Sequence, residues 1–223
     1  MSDVRSRYAR VLGRGTGTER IAFFSDAVFA IALTLLALEI RVPADTKSSD
    51  LTAALFALWP ELFAYLLTFA ILGVNWMSHH RKFRVIIRFD GGLMWINLAL
   101  LSLVAITPFP TSVLAEFDLQ TSSVILYALV VAGLTLLQLW LWVHARRHDL
   151  LDTSVDAGLY RLVRRNLLVT PSVFVLSVPI AFVWPLGAMF LWFLSFPATA
   201  VISRLPINEK PFPALAAASR SRD

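Results

Sequence analysis

The sequence predicts an all-α, polytopic membrane protein with six transmembrane helices, and three observations lead to that prediction. First, 57% of the 223 residues are hydrophobic and only 16% are charged, and the mean hydropathy is +0.69. This is more apolar surface than a soluble core of this size can hide. Second, apolar runs long enough to cross a bilayer follow one another along the chain. Third, basic residues alternate between the connections that join those runs.

Six apolar runs have the length of roughly 17 to 25 residues that a hydrocarbon core requires. They cover residues 21–40, 53–78, 92–114, 122–144, 167–184 and 187–204. Only a turn around Trp184, Pro185 and Gly187 separates the last two runs, and the alternative is one long, broken segment. Two short spans are favoured, because about 38 apolar residues exceed a single crossing.

The distribution of lysine and arginine predicts the orientation of these spans. Of the 20 basic residues, 18 fall in the N-terminal tail, in 79–90, in 145–166 and at the C-terminal end, which places these segments in the cytoplasm. The chain then divides into a cytoplasmic basic tail (1–19), a six-helix membrane domain (20–204) and a cytoplasmic C-terminal tail (205–223). The net charge of +5 reflects topology and attraction to anionic membrane lipids, and no nucleic-acid partner is expected.

Several classes of chemistry are excluded by residues that the sequence lacks. It contains no cysteine, which rules out disulfides, thiolate metal sites and cysteine nucleophiles. It has no His-Glu-x-x-His motif, no Gly-x-Ser-x-Gly motif and no paired carboxylates on one span. We therefore expect no enzyme, no metal site and no cofactor.

Polar residues from three spans are predicted to meet near the cytoplasmic side. Arg20, Ser25 and Asp26 lie at the start of span one and Asn97 lies two turns into span three, after Asp90. Span two ends with Asn75, Ser78, His79 and His80. Arg20 and Asp26 are about 120° apart on a helical wheel, so we expect Asp26 to find its partner on span two or three. A structural staple between helices is favoured over a proton-carrying role for Asp26 or His79.

Span one carries one apolar stripe with a single hydroxyl. Ile31, Thr34, Leu35 and Leu38 share an arc of about 100° on the helical wheel. The stripe is a packing seam or lipid-facing surface in one interpretation. In the other, several copies of span one surround an axis, and the apolar rings form a constriction that gates by dewetting.

The start of span one resembles the transmembrane protein 175 family of potassium channels. Arg20 followed by Phe24, Ser25 and Asp26, and then by AVFAIALTLLALEI, is similar to the first helix of that family. The resemblance continues in NWMSHHRKF (75–83) and in NLALLSLVAITPFPTSVL (97–114), and the six-span plan covers almost the whole chain. Bacterial members carry one six-span repeat, as this sequence does.

This resemblance implies a homotetrameric channel permeable to potassium ions, with span one lining the pore. By distance from Asp26, the constriction falls on Ile31, with further apolar rings at Leu35 and Leu38, and the polar layer falls on Thr34. The same resemblance gives Arg20, Phe24, Ser25 and Asp26 the role of holding span one against its neighbours. The sequence lacks a Gly-Tyr-Gly filter, as the family does.

Glu39, just beyond Leu38, is predicted to raise the local cation concentration in an outer vestibule, and a salt bridge to Arg41 is the alternative. Two other functions stay open: a proton-coupled secondary transporter and a structural or partner-binding membrane protein. The resemblance implies the plasma membrane of a prokaryote.

Overall fold

The structure is a computed structural model, and it describes residues 14–117 and 120–204. Two short strands, β1 (Arg14–Thr16) and β2 (Arg88–Asp90), accompany a set of α-helices. In chain order the helices are α1 (Glu19–Leu38), α2 (Leu51–Ala57), α3 (Trp59–Phe83), α4 (Gly91–Ile106), α5 (Pro108–Glu116), α6 (Thr121–Arg147), α7 (Ala157–Ala181), α8 (Pro185–Phe193) and α9 (Ser195–Arg204). The all-α membrane fold predicted from the sequence is confirmed, with a two-stranded sheet that was not predicted.

Five helical segments of the described chain are long and apolar enough to cross a membrane. They are Glu19–Leu38, Trp59–Phe83, Gly91–Glu116, Thr121–Arg147 and Ala157–Ala181. The region predicted as the sixth span consists of two short helices, α8 and α9, that meet at Leu194. The sixth span therefore stays a prediction. The predicted C-terminal tail (205–223) lies outside the described residues.

The third of these segments is interrupted at Thr107, where α4 ends and α5 begins. Pro108 follows directly, and a proline lacks the backbone N–H of the helical ladder and crowds the carbonyl one turn earlier. The hydroxyl of Thr107 donates to the Leu103 carbonyl (2.6 Å), and that of Thr111 donates to the Thr107 carbonyl (2.8 Å). These bonds satisfy backbone oxygens near the break, so the interrupted span is tolerated in an apolar setting.

The helices at the fourth and fifth spans differ in their bounds from the predicted runs 122–144 and 167–184. The α6 helix extends to Arg147, and α7 begins at Ala157, where the Asp156 carboxylate caps it by accepting from the Leu159 N–H (2.6 Å). Hydropathy detects only the apolar part of a helix, whereas the hydrogen-bonded ladder continues through basic residues outside the membrane. Much of the predicted connector 145–166 is therefore helical.

Three buried clusters hold the bundle together. In the first, the rings of Tyr127, Phe174 and Trp192 bring α6, α7 and α8 into contact, and the Trp192 indole donates to the Ser177 hydroxyl (2.8 Å). The second packs α1 against α3 and α4 and includes Leu134 of α6. The third lies at the predicted cytoplasmic end and includes Phe83 and Leu141. The Trp192 contacts attach α8 to α6 and α7.

A small antiparallel sheet ties the chain before α1 to the chain before α4. The pairs are Arg14 with Asp90, Gly15 with Phe89, and Thr16 with Arg88. Gly17 has a φ of +93°, a backbone conformation that favours glycine, and it turns the chain from β1 into α1. Thr18 then donates its hydroxyl to the Ile86 carbonyl (2.7 Å). This sheet lies within what was predicted to be a tail, and it fixes the position where α1 begins.

Candidate functional site

The α1 helix has one packed face and one open face. Ser25, Phe29, Ala32 and Leu36 lie one turn apart, and each is at most 1% exposed. On the other side, Ile31, Leu35 and Leu38 are 58%, 40% and 59% exposed, and Thr34 is exposed as well. The centres of the two stripes are about 140° apart around the helix. The structure thus brings all four residues of the predicted stripe onto one free face of the chain.

The hydroxyl of Thr34 is oriented by its own helix. It donates to the Ile31 carbonyl (2.8 Å), which uses its single hydrogen and leaves oxygen lone pairs free on the open face. Ile31 and Leu38 are separated by about 10 Å along the helix, with Thr34 and Leu35 between them. Along the open face, the Thr34 oxygen therefore lies between the apolar side chains of Ile31 and Leu38.

The outer end of α1 carries Glu39 and Arg41. Glu39 is exposed, and Arg41 donates from its Nε to the Leu38 carbonyl (2.8 Å), which satisfies a helix-terminal oxygen. No ion pair joins Glu39 to Arg41 within the described part of the chain, and the Glu39 side chain is exposed. Both interpretations of Glu39 stay predictions.

A buried chain of hydrogen bonds attaches the packed face of α1 to α3 and α4. His79 bonds through Nε2 to the Asn97 carbonyl oxygen (2.9 Å), and the Asn97 amide donates to the Ser25 hydroxyl (3.0 Å), which donates to the Ile21 carbonyl (2.8 Å). Because Oδ1 of Asn97 only accepts, His79 must carry its proton on Nε2. Ser25 and His79 are fully buried and Asn97 is 2% exposed. The network joins one residue from each of spans one, two and three, and its role as a structural staple stays a prediction.

The His79 ring is also held by aromatic contacts. It stacks on Phe83 with centroids 4.5 Å apart and tilts against Phe29 at 5.6 Å. These contacts fix the imidazole between α1 and α3. An imidazole enclosed on both sides keeps one orientation, which suits a hydrogen-bond donor with a structural role.

Asp26 finds its partner on span two, as predicted. The Trp76 indole donates to one carboxylate oxygen (2.8 Å), and Nδ1 of His80 lies 3.6 Å from the other. The Asp26 side chain is 28% exposed, so this contact lies at the edge of the packed region. Arg20 and Phe24, which were expected to help hold span one, are both exposed in the single chain. The roles predicted for them stay predictions.

Asn75 belongs to a different network from His79. Its side-chain amide donates to the Ile71 carbonyl within α3. Its backbone carbonyl accepts from the side-chain amide of Gln138 on α6 (3.1 Å). Gln138 in turn accepts from the Lys82 ammonium through its side-chain and backbone oxygens. Ser78 lines a neighbouring cavity of about 420 Å³. The polar residues predicted as one cluster thus form separate groups.

Lys82 and Gln138 were missed by the sequence reasoning. Lys82 is 3% exposed and Gln138 is fully buried, although Lys82 belongs to the basic segment 79–90 that is predicted to lie in the cytoplasm. A glutamine inside an otherwise apolar run was the available signal, because a polar side chain at membrane depth requires a partner on a neighbouring helix.

A second missed group lies at the predicted cytoplasmic end. Asp90, which was associated with the span-three cluster, instead faces the last turn of α6. His144 approaches its carboxylate at 2.9 Å and His148 approaches it at 3.5 Å. The signal in the sequence was the i, i+4 spacing of the two histidines, which places them on the same face of a helix.

Comparisons with known proteins agree with this architecture. Residues 20–108 match the family model described as endosomal/lysosomal potassium channel TMEM175. A potassium channel of Streptomyces collinus is 40% identical over 169 residues, which cover 74% of this chain and 82% of the relative. A potassium channel of Chamaesiphon minutus is 35% identical over 172 residues, or 74% and 85% of the two chains.

A solved structure gives the same result for the fold. The crystal structure of a lysosomal potassium-selective channel TMEM175 homologue from Chamaesiphon minutus superimposes with a TM-score of 0.72 at 31% identity. The match covers 84% of this chain and 98% of that one. The family model spans α1, α3 and α4, which are the helices joined by the buried chain through His79, Asn97 and Ser25. The chain is therefore a multi-pass integral membrane protein that belongs to the TMEM175 family.

Proposed function

We propose that this protein is a potassium-permeable cation channel in which α1 from four copies lines a central pore. The observation that carries the proposal is the division of α1 into a packed face and an open face. Its open face is apolar at Ile31, Leu35 and Leu38 and carries oxygen at Thr34. The identity of the ion, potassium, is inferred from the relatives that are named potassium channels.

Four copies of α1 form a narrow lumen on simple geometric grounds. Neighbouring helices pack 8 to 10 Å apart, so four helices around an axis lie about 6 to 7 Å from it. A helix with its side chains has a radius of about 5 to 6 Å, which leaves a gap of about 1 Å at the axis. Ile31 and Leu38 then close the path with apolar side chains, and such a constriction gates by excluding water.

The preference for potassium follows from the same arrangement. Apolar rings cannot replace the hydration shell of an ion, so the ion passes with part of its water retained. The oxygen of Thr34 is the protein acceptor at this level of the open face, because its hydrogen is used by the Ile31 carbonyl. Potassium sheds water more readily than sodium, so such a pore favours potassium moderately. Exposed Glu39 attracts cations to the outer mouth.

The buried hydrogen bonds of Ser25, Asn97 and His79 hold the proposed pore helix, α1, in a fixed position. Ser25, at the start of α1, is held by Asn97 and His79 on two other helices, and β1 fixes the chain just before it. The α1 helix contains no glycine or proline and continues unbroken from Glu19 to Leu38. A continuous helix anchored at one end suits a pore lining better than a midplane transport site, which discontinuous helices form.

The test is potassium flux from liposomes that contain the purified protein, comparing wild type with Ile31→Asn. We expect faster valinomycin-independent flux in the variant, because a polar amide wets the narrowest ring. Ile106→Asn is the matched control: Ile106 is 48% exposed on α4 and lies outside the proposed lining. It should leave the flux at the wild-type rate.

Equal flux for Ile31→Asn and wild type in a conducting preparation would remove Ile31 from the constriction. A rise for both Asn variants would indicate leakage from a loosened bundle. The number of copies is measured separately, by mass photometry or chemical crosslinking of the protein in nanodiscs. A species other than four chains would contradict the lumen geometry.

A further inference from the structure

A side-chain cluster lies at the predicted cytoplasmic end, away from the open face of α1. It joins Asp90, the last residue of β2, to His144 and His148 in and just after the last turn of α6. One ligand atom from each residue lies within 4.8 Å of the others. The proposed pore does not use these residues, so a separate explanation is required for their convergence.

The distances in this cluster are close to those of a metal site. Nε2 of His144 lies 2.9 and 3.1 Å from the two Asp90 oxygens, and Nδ1 of His148 lies 3.5 Å from one of them. Ligands bound to zinc at 2.0 to 2.2 Å in a tetrahedral arrangement are about 3.4 Å apart. An ion bound between the three groups therefore requires shifts of about an ångström or less in each side chain.

The surrounding structure holds the three ligands in place. The Asp90 carboxylate accepts from the Leu93 N–H (2.7 Å), which fixes its orientation at the start of α4. The two imidazoles stack with centroids 4.1 Å apart, so both rings approach the same carboxylate from one side. A Cβ atom on Gly92 would lie 2.5 Å from the His144 ring, so glycine is required there for the close approach. Such secondary contacts are typical of ligands that are oriented for a metal.

Charge and access also suit a cation. Asp90 supplies the carboxylate of the cluster, and the two histidines supply neutral nitrogen ligands. Asp90 and His144 are each 14% exposed, whereas His148 is 45% exposed. The site is therefore partly enclosed, with one open side through which an ion and a water ligand reach it.

We infer that Asp90, His144 and His148 form a binding site for a divalent transition-metal ion of the zinc class. Two imidazole nitrogens and one carboxylate oxygen are a donor set that zinc accepts, with water in the fourth position. The bound ion would connect the end of α6 to the junction between β2 and α4. Because β2 pairs with β1, the same ion would stiffen the support from which α1 starts.

The test is zinc binding to tag-free, purified full-length protein in nanodiscs, measured by isothermal titration calorimetry. The chain has no cysteine and only four histidines, so competing sites are few. We expect one zinc ion per chain and about tenfold or greater loss of affinity in His148→Ala and in Asp90→Asn. The matched control is His80→Ala, since His80 is a similarly exposed histidine outside the cluster; it should bind zinc like wild type.

A second measurement reports the ligands directly. Co²⁺ added to the same protein should show the intense visible absorption of a four-coordinate site, and His148→Ala should lose it. The inference fails if wild type binds no zinc. It also fails if His148→Ala binds as tightly as wild type, or if His80→Ala is the variant that loses binding. None of these readouts depends on ion flux, so they leave the proposed pore untouched.

Discussion

Asn97 on α4 makes hydrogen bonds to both of the helices that flank it, α1 and α3. Its carbonyl oxygen bonds to His79 and its amide donates to Ser25, so one side chain on α4 connects α3 to α1. Replacement by alanine removes both bonds and leaves the Nε2–H of a fully buried histidine without that acceptor. We therefore predict that Asn97→Ala weakens the attachment of α1 while leaving the open face of that helix unchanged.

The size of this effect follows from the number of bonds. Hydrogen bonds between membrane helices contribute about 0.6 kcal/mol on average, and a buried donor left without a partner costs about 1 to 3 kcal/mol. Two lost bonds and one unsatisfied donor give about 2 to 4 kcal/mol for Asn97→Ala. Ser25→Ala removes one of these bonds and should cost about 1 kcal/mol.

The assay is unfolding in mixed micelles by titration with sodium dodecyl sulfate, followed by circular dichroism. The free energy of unfolding is measured for wild type, Asn97→Ala, Ser25→Ala and the double variant. Since the two residues share a bond, the double variant should lose less than the sum of the single losses, by about 0.5 kcal/mol or more. Ser102→Ala is the control, because Ser102 lies exposed on the same helix with its hydroxyl bonded to the Ala99 carbonyl.

Two results would refute this reasoning. A loss below about 0.5 kcal/mol for Asn97→Ala would place it with ordinary surface changes and show that the hydrogen-bonded chain contributes little. Strict additivity of Asn97→Ala and Ser25→Ala would show that the two side chains do not act together.

Two further predictions concern the open face of α1 and the cluster of Asp90, His144 and His148. Thr34→Ala removes the oxygen from the open face, so the permeability ratio of potassium to sodium, measured from reversal potentials, should move towards one. Thr34→Ser keeps the oxygen and should keep the wild-type ratio. An unchanged ratio in the alanine variant would exclude Thr34 from ion selection. Gly92→Ala should lower stability in the wild-type background, because its Cβ would displace the His144 ring. In a His144→Ala background the same change should raise stability by about 0.5 to 1 kcal/mol, as expected for glycine to alanine in a helix. Both effects are measured in the same detergent titration. Equal effects in the two backgrounds would show that contact with the His144 ring does not affect stability.

The sequence was sufficient for features that depend on local periodicity. Apolar runs located the five long segments, and a helical wheel placed Ile31, Thr34, Leu35 and Leu38 on one face, which the structure leaves open. The prediction that Asp26 pairs with span two or three is confirmed by Trp76. These inferences succeed because the period of the helix and the thickness of the bilayer are fixed quantities.

The features that were missed depend on which segments meet in space. Nothing in residues 14–16 indicates a strand, because β1 exists only through its pairing with residues 88–90. Lys82 lies in a basic segment that is predicted to be cytoplasmic, yet its side chain is buried and donates to Gln138 on α6. Asp90 and His144 are 54 residues apart and approach each other only when the ends of α4 and α6 pack together.

The bond from Thr18 to Ile86 can form only after the ribosome has made both residues. Its two residues are 68 positions apart, so at about 5 to 20 residues per second the ribosome takes roughly 3 to 14 s to produce the second after the first. Throughout that interval α1 is already made, but the segment that anchors its start does not yet exist. The first helix must therefore reach the membrane on its own hydrophobicity, and its final tilt can be set only when the chain returns to the same side of the bilayer.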